Sequence, residues 1–353
     1  MDQSKAMVAM SGGVDSSVAA YLTAQAGYHC VGAIARLCDS SLPGCQDPDG
    51  SIGDARAVAQ RLGMEFVVLD RVDAFRQEVV DYFVSTYEQG MTPNPCVQCN
   101  SAIKFGDLLE QALEAGCSKI VTGHYARIRK DDHTGRYLLY KAKDDAKDQS
   151  YFLAGLNQHQ LAHTLFPLGE LTKEEARQIA EAQGFVNARK KDSQDVCFIP
   201  DGDFAAFLSR YTGKTYPEGN FLDRAGNIVG KHSGAVRYTL GQRKGLGLAM
   251  GQPVYVCGKD MAANTVIVGP NEALFSKELA AKDWNWIPFP TLSEPMRVIA
   301  KARSRHLGAP ATVYPLEDGT AKVIFDAPQR AITPGQAVVL YQEDLVIGSG
   351  TIV

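Results

Sequence analysis

Ser11-Gly12-Gly13-Val14-Asp15-Ser16-Ser17 lies between a short apolar run at 7–10 and a helical pattern at 18–26, and it decides the fold of the N-terminal part of this chain. Two adjacent glycines let backbone N–H groups approach a pyrophosphate, and the serine hydroxyls add donors. The helix that follows points its positive end at the same anion. Asp15 is placed to hold Mg²⁺ beside the phosphates, because this ion takes one or two carboxylates together with substrate oxygens. The stretch therefore predicts a phosphate site between a strand and a helix.

This stretch differs from the other common phosphate loops. It lacks the Gly-Lys-Ser/Thr ending of a Walker A loop and the spaced glycines of a dinucleotide fingerprint. It resembles the PP-loop of the ATP pyrophosphatases, enzymes that split ATP between its α and β phosphates. The alternative is a plain glycine turn, and seven matching residues between a strand and a helix disfavour it.

Length and composition indicate a multidomain globular protein. A chain of 353 residues is long enough for two or three domains. No apolar stretch is long enough to span a bilayer and the N-terminus is polar, so we expect a cytoplasmic protein without a membrane partner. With no signal peptide in view, the eight cysteines favour thiols for chemistry or packing over a disulfide framework.

The charge is unevenly distributed along the chain. The net charge is -4, yet residues 225–258 and 295–316 contain no Asp or Glu. These two acid-free windows hold the basic residues Lys231, Arg237, Arg243, Lys244, Arg297, Lys301, Arg303 and Arg305. Either window alone could be an ordinary solvated face. Two of them on an acidic chain favour a phosphate-backbone footprint, and hence a nucleic-acid partner.

Hydrophobic periodicity divides the chain into three parts. Strand-like runs at 7–10, 31–35, 66–69 and 120–122 alternate with helical patterns at 16–26, 54–62 and 103–115, each helix ending at a glycine. This predicts an α/β domain with a doubly wound parallel sheet over 1–200, with ligands at the carboxyl ends of its strands. Short alternating runs follow, and they predict a small central domain at 201–270 and a β-barrel at 271–353. Residues 36–53 and 89–100 are predicted to be cysteine-bearing functional loops.

Three cysteines are candidates for chemistry. Cys96 and Cys99 form a C-x-x-C, and Cys197 lies in a polar-to-apolar segment far along the chain. The pair alone is compatible with half of a zinc site, a redox pair or an iron–sulfur ligand set. For Cys197 alone, a buried structural thiol is the simplest interpretation.

Seven strings, in order along the chain, place these cysteines in a wider pattern. They are the PP-loop, TPNPCVQCN at 92–100 followed by IKF, TGHY at 122–125, KDQSYFL at 147–153, KDSQDVCFI at 191–199, YTLGQRKGLG at 238–247 and TPGQ at 333–336. Together they resemble the tRNA-specific 2-thiouridylases over nearly the whole chain. The resemblance implies a PP-loop domain, a small central domain and a C-terminal β-barrel. It also implies an enzyme, a tRNA-uridine 2-sulfurtransferase, that adenylates the wobble uridine with ATP and replaces its O2 by sulfur.

The resemblance also implies roles for individual residues. Cys197 carries the persulfide, and Cys99 frees its sulfur by forming a disulfide with Cys197; Asp15 joins them as a catalytic residue through its magnesium. ATP is expected at Ala9, Met10, Ser11, Gly12, Gly13, Val14, Asp15, Ser16, Ala35 and Gly123. The target base is expected at Asn94, Pro95 and Cys96, and the rest of the tRNA at His124, Lys147, Asp148, Gln149, Arg303, Ser304 and Gln336.

Two questions about sulfur chemistry follow from the cysteines. The carrier is expected to have a depressed pKa, because thiolates perform exchange, and to be loaded by a sulfur-relay protein or a cysteine desulfurase. Cys96 stands where some members of the family carry Asp, which favours an alternative in which Cys96, Cys99 and Cys197 hold a four-iron, four-sulfur cluster. The segment 36–53, with Cys38 and Cys45, departs from the family pattern.

Two other function classes compete with this one. A synthetase that adenylates a small molecule would keep the PP-loop, but the chain shows no glutaminase-like nucleophile. An RNA-binding module without turnover would not need an intact phosphate loop.

Overall fold

A computed structural model describes residues 4–43, 45, 49–190 and 196–353 of the chain. Residues 191–195 of the KDSQDVCFI string and part of the 36–53 segment lie outside the described residues. The α-helices are α1 (Val14–Gln25), α2 (Asp49–Arg61), α3 (Val72–Phe75), α4 (Tyr82–Glu88), α5 (Pro95–Gln98), α6 (Leu108–Glu114), α7 (Ser150–Leu153), α8 (Gln158–Ala162), α9 (Lys173–Ala182) and α10 (Phe204–Thr212). Segments of π-helix at Arg76–Asp81 and Cys99–Asp107 join α3 to α4 and α5 to α6, and short 3-10 turns lie at Ala235–Arg237 and Asn271–Leu274.

The strands follow the same order along the chain. They are β1 (Lys5–Ala9), β2 (His29–Arg36), β3 (Glu65–Asp70), β4 (Lys119–Val121), β5 (Arg127–Lys130), β6 (Tyr137–Tyr140), β7 (Thr164–Leu165), β8 (Gly219–Leu222), β9 (Ile228–His232), β10 (Tyr255–Asp260), β11 (Thr265–Gly269), β12 (Phe275–Trp286), β13 (Met296–Lys301), β14 (Ala309–Pro315), β15 (Ala321–Arg330), β16 (Ala337–Gln342) and β17 (Leu345–Ile352).

The N-terminal sheet has the order β3-β2-β1-β4-β7, and all its neighbouring strands are parallel. Helices α1, α2 and α9 pack on one face, and α6 packs on the other. The doubly wound sheet predicted from the sequence is confirmed. The chain leaves β1 toward β2 on one side and returns as β4 on the other. A crevice therefore opens at the carboxyl ends of β1 and β4, where such folds bind ligands.

The rest of the chain forms two β structures. Strands β10-β11-β8-β9 make the small central sheet. Strands β12-β15-β14-β13-β16-β17 form a barrel, closed by pairing of β12 with β17. The β5–β6 hairpin extends the barrel sheet because Tyr140 pairs with Leu345.

Three expectations about local structure are corrected. The C-x-x-C does not lie in a loop, because the helix that was predicted to begin at Ile103 begins at Pro95. Proline suits the first helical turn, whose N–H groups lack partners in the helix. A helical stretch at 72–88 was not predicted. Cys38 and Cys45 form a disulfide, whereas the composition favoured thiols over a disulfide framework.

None of the described helices is both long enough and apolar enough to cross a bilayer.

Candidate functional site

The phosphate loop folds back on its own helix. The Ser11 N–H donates to Ser16 Oγ at 3.1 Å, and the hydroxyls of Ser16 and Ser17 both donate to the Gly13 carbonyl, at 3.1 and 3.0 Å. No side chain caps the N-terminus of α1. Its first N–H groups are thus directed at the loop, as an anion site requires. Of the other predicted ATP residues, Met10 and Val14 are buried in the core, so only their backbone can reach a nucleotide.

Asp15 is held by two residues that the sequence analysis missed. Both carboxylate oxygens of Asp15 accept from Lys173 Nζ at 2.8 Å, and Oδ1 also accepts from the Tyr125 hydroxyl at 2.9 Å. Lys173 is buried and begins α9, where the Thr172 side chain caps the helix. A carboxylate paired in this way does not offer a free ligand for magnesium. In the mechanism below, Asp15 therefore has no metal-binding role.

Gly123 closes the crevice from the β4 side. A Cβ atom on Gly123 would lie 2.6 Å from the Asp15 carbonyl carbon and 2.6 Å from the Ser16 nitrogen. Only glycine lets the TGHY segment approach the phosphate loop this closely. The predicted ATP positions at Gly123 and Ser11–Ser16 are thus brought together, while Ala9 and Ala35 lie at the ends of the neighbouring strands.

A second pair of missed residues supports the loop from outside. Asn187 Nδ2 donates to the Gly12 carbonyl at 3.1 Å and to Ser17 Oγ at 2.9 Å, and Lys190 Nζ lies 3.3 Å from the same carbonyl. Asn187 is buried, and its Oδ1 has no hydrogen-bond partner among the described residues. Gly12 adopts a φ of 69° and lies against the Ser51 backbone of α2. The loop is therefore clamped between α2 and the segment after α9.

The three candidate cysteines are brought together. Cys96 and Cys99 lie at the start of the helical segment 95–114, Cys99 is buried, and Cys96 and Cys197 are exposed. Each of Cys96, Cys99 and Cys197 is a free thiol, and each is close enough to Lys104 for its charge to be felt. Lys104, the lysine of the IKF string, is a site residue that the sequence analysis quoted without assigning a role.

The expectation that the sulfur-carrying cysteine has a depressed pKa is wrong for this arrangement. Desolvation raises the pKa of Cys96 and of Cys99, and Lys104 acts in the opposite direction with a smaller effect. Desolvation, followed by repulsion from the other two thiols, raises the pKa of Cys197 to about 12. Although Cys96 and Cys197 are exposed residues, enough protein surrounds their sulfur atoms for desolvation to dominate. All three are thiols at neutral pH.

The fit of a metal cluster was tested on the same residues. Within the described ranges, no three His, Cys, Asp or Glu side chains are grouped closely enough to hold a metal ion. This holds for Cys96, Cys99 and Cys197 as ligands of a single ion. A four-iron cluster spaces its thiolates farther apart than a single ion does, so the iron–sulfur alternative stays a prediction.

His124 connects the cysteines with the phosphate loop. It follows Gly123 directly, its Nδ1 lies 2.8 Å from Thr122 Oγ1, and its ring packs against Phe105 and Phe166. Burial, followed by the nearby charge of Lys104, holds the pKa of His124 well below its usual range. His124 is therefore a neutral packed side chain between the two centres.

The predicted base-contacting loop is docked on the barrel. Asn94 Oδ1 accepts from the Ala337 N–H at 2.6 Å, and Asn94 Nδ2 donates to Gln336 Oε1 at 3.3 Å. Gln336 Nε2 donates to the carbonyls of Thr92 and Pro93 at 3.1 and 3.0 Å. The TPNP and TPGQ strings thus form one junction, and Pro95, at the start of α5, is buried beside it.

The other predicted tRNA residues are separated. Asp148 accepts from the N–H groups of Ala142 and Ser150, and Gln149 Oε1 accepts from the Tyr125 N–H, so both organise the loop with Lys147 that leads into α7. Arg303 and Ser304 lie on the barrel in the β13–β14 connection.

Arg330, which lies outside both acid-free windows, connects them at the barrel. Arg303 and Arg330 both line a cavity of about 170 Å³ there. Arg330 Nη2 also donates to the Gly241 carbonyl of the YTLGQRKGLG string at 3.4 Å. The basic residues of the two windows can therefore act as one surface.

Comparisons with known proteins agree with these features. Three family models match in succession: a tRNA methyl transferase HUP domain at 4–201, a tRNA methyl transferase PRC-barrel domain at 205–270 and an aminomethyltransferase beta-barrel domain at 276–352. The chain is 47% identical over 359 residues to the tRNA-specific 2-thiouridylase MnmA of Clostridioides difficile, covering 99% of this chain and 98% of that protein.

The chain belongs to the tRNA-specific 2-thiouridylase family. The proteins of the same name from Acetivibrio thermocellus and Clostridium perfringens are each 46% identical, covering 100% of this chain and 100% and 99% of theirs. The resemblance seen in the seven strings is therefore confirmed. Within this family member, Lys104, Tyr125, Lys173 and Asn187 are residues of the site that single-sequence reasoning did not find.

Proposed function

We propose that this protein is a tRNA-uridine 2-sulfurtransferase that uses ATP to activate the wobble uridine and cysteine-bound sulfur to thiolate it. One observation carries the proposal. The phosphate loop and the three thiols open on the same edge of the sheet, and they are joined through Gly123, His124 and Lys104. An activating site next to thiol carriers suits a reaction in which a carbonyl oxygen is made a leaving group before sulfur attacks.

The first step is adenylation of the uracil O2. This oxygen attacks the α phosphate of ATP, and pyrophosphate departs toward the loop at 11–17, where the α1 N-terminus and the serine hydroxyls receive its charge. Lys173 is buried, and its ion pair with Asp15 brings its charge close to this loop. We assign it the role of fixing Asp15 and compensating charge while the triphosphate is bound.

The second step transfers sulfur. The terminal sulfur of a Cys197 persulfide attacks C2 of the adenylated base, and Cys99 then attacks Sγ of Cys197. The sulfur remains on C2, AMP leaves, and Cys99 and Cys197 end as a disulfide. Two electrons from the cysteines reduce the transferred sulfur. Cys197 is exposed, so a sulfur-relay protein or a cysteine desulfurase can load it.

The direct test supplies tRNA, ATP with Mg²⁺, a persulfide donor and a reductant, and it analyses the nucleosides of the digested tRNA. We expect 2-thiouridine together with AMP and pyrophosphate. ATP cleavage that needs a small amine instead of tRNA would favour a synthetase. tRNA binding without any AMP would favour an RNA-binding module.

Replacement of Cys96 with serine is expected to retain at least about a third of the thiolation rate, because in this mechanism only Cys99 and Cys197 exchange electrons. The rate and the iron content are measured on protein prepared without oxygen, beside wild type. A cluster would need all three thiolates, and a hydroxyl is a poor ligand for it. Bound iron in wild type, lost together with activity in Cys96→Ser, would contradict the thiol mechanism.

Replacement of Arg243 and Lys244 together with glutamine is expected to weaken tRNA binding and to flatten its salt dependence. Both side chains are exposed in the basic loop that Arg330 ties to the barrel. The slope of log K against log salt should fall by about one to two if each neutralises a phosphate. The matched control is Lys277→Gln with Lys282→Gln, two exposed lysines outside the windows. Equal slopes for wild type, the variant and the control would show that this loop is ordinary solvated surface that does not contact phosphates.

A further inference from the structure

The Cys38–Cys45 disulfide lies at the sheet edge that bears the site. It closes the segment that follows β2, and that segment leads into α2, whose Ser51 touches Gly12 of the phosphate loop. Within the turn, Asp39 accepts from the Ser41 N–H at 2.9 Å, and Arg76 holds the Ser41 hydroxyl. The disulfide therefore lies just beyond the carboxyl end of β2.

Cys38 and Cys45 pack against the apolar cluster that contains Cys99. Leu42, which lies between them in the chain, is a buried member of that cluster. Phe198 is a buried member too, and Val196 packs against the cluster, so both chain neighbours of Cys197 adjoin it. Cys38, Cys45 and Cys99 thus adjoin one cluster, and Cys197 lies between two residues that contact it.

The proposed sulfur transfer creates a need for a reductant. Each turnover leaves Cys99 and Cys197 as a disulfide, and the enzyme stops until that bond is reduced. Cys99 is only 8% exposed, so an incoming thiol must attack Cys197, the exposed residue of the pair. A thiol already at the site avoids the need for a second protein to enter while tRNA is bound.

We propose that Cys38 and Cys45 form a redox relay that re-reduces the Cys99–Cys197 disulfide. The inference rests on the function proposed above. One thiolate of the relay pair attacks Sγ of Cys197 and expels Cys99, which takes a proton. The second relay thiolate then resolves the mixed disulfide and expels Cys197, which also takes a proton. Two electrons and two protons pass from the relay to the catalytic pair, and the Cys38–Cys45 disulfide remains for an external dithiol reductant, a thioredoxin-like protein, to reduce.

The test compares wild type, Cys38→Ser with Cys45→Ser, and Cys257→Ser as a matched cysteine control outside the cluster. Reduced enzyme is loaded with persulfide and given tRNA and ATP. We expect the double variant to complete its first turnover within about twofold of wild type. With thioredoxin as the sole reductant, its later turnovers should then fall at least about tenfold, and a small dithiol should restore them.

A second measurement traps the intermediate. Cys45→Ser should accumulate a Cys38–Cys197 link, or Cys38→Ser a Cys45–Cys197 link, in peptides alkylated during turnover. If the double variant turns over steadily at the wild-type rate and no link is trapped, the relay proposal is overturned and the proposed function stands. Loss of the first turnover together with a lower melting temperature shows that the disulfide serves folding, which also overturns the relay. A wild-type protein that forms no 2-thiouridine overturns the proposed function and the relay with it.

Discussion

Replacing Asp15 with alanine is expected to reduce pyrophosphate release from ATP at least about a hundredfold while tRNA binding is retained. The carboxylate is the acceptor for Lys173 and for the Tyr125 hydroxyl. Its removal leaves a buried ammonium group without its counter-ion, which costs several kcal/mol at such sites, and it frees the start of α9 from the phosphate loop. Pyrophosphate release at saturating tRNA measures the effect.

Lys173 provides the second half of this experiment. Lys173→Met should show a comparable loss, and the double variant should be no worse than either single one, because the two side chains act as a unit. Asp326→Ala, which removes an ion pair of Arg297 on the barrel surface, is the matched control and should release pyrophosphate normally. Normal release by Asp15→Ala would overturn the assignment of this carboxylate to the ATP site.

Cys197→Ser is expected to abolish 2-thiouridine formation and to leave AMP formation intact. A serine hydroxyl cannot carry a persulfide, whereas the phosphate loop does not contact Cys197 in the proposed mechanism. Thiolated nucleoside and AMP are measured in the same reaction, so that the two steps are separated. Cys99→Ser should differ, because its Cys197 can still accept sulfur. The protein should carry the mass of one extra sulfur atom before tRNA and ATP are added, and should then stall with that sulfur linking Cys197 to C2 of the base. Thiolation by Cys197→Ser above about one per cent of wild type would contradict the role of this residue as carrier.

Much of the fold could be predicted from the sequence because the signals that specify it are local. The loop at 11–17, the apolar runs at β1 to β4 and the glycine helix ends together specified the doubly wound sheet. The unpredicted helix at 72–88 also had a local signal, since the buried residues Val72, Phe75, Val79 and Phe83 recur at three- and four-residue spacing. Pro95 could similarly have marked the start of the helix that bears the C-x-x-C.

Less of the candidate site could be predicted from the sequence, because its contacts join distant parts of the chain. Lys173 meets Asp15 across 158 residues, and Asn187 meets Gly12 across 175. No periodicity in one sequence encodes such pairs. The raised thiol pKa values have the same origin, because desolvation depends on how the segments around Cys99 and Cys197 pack together.

The junction between Asn94 and Ala337 makes one domain depend on another. The two residues are 243 positions apart, so the segment just before α5 takes its fixed shape from a strand of the barrel. The strands of the parallel sheet all lie before residue 170 and need no barrel residue for their pairing. A chain cut before Gln336 is therefore expected to keep the parallel sheet while the segment at 92–95 loses its anchor.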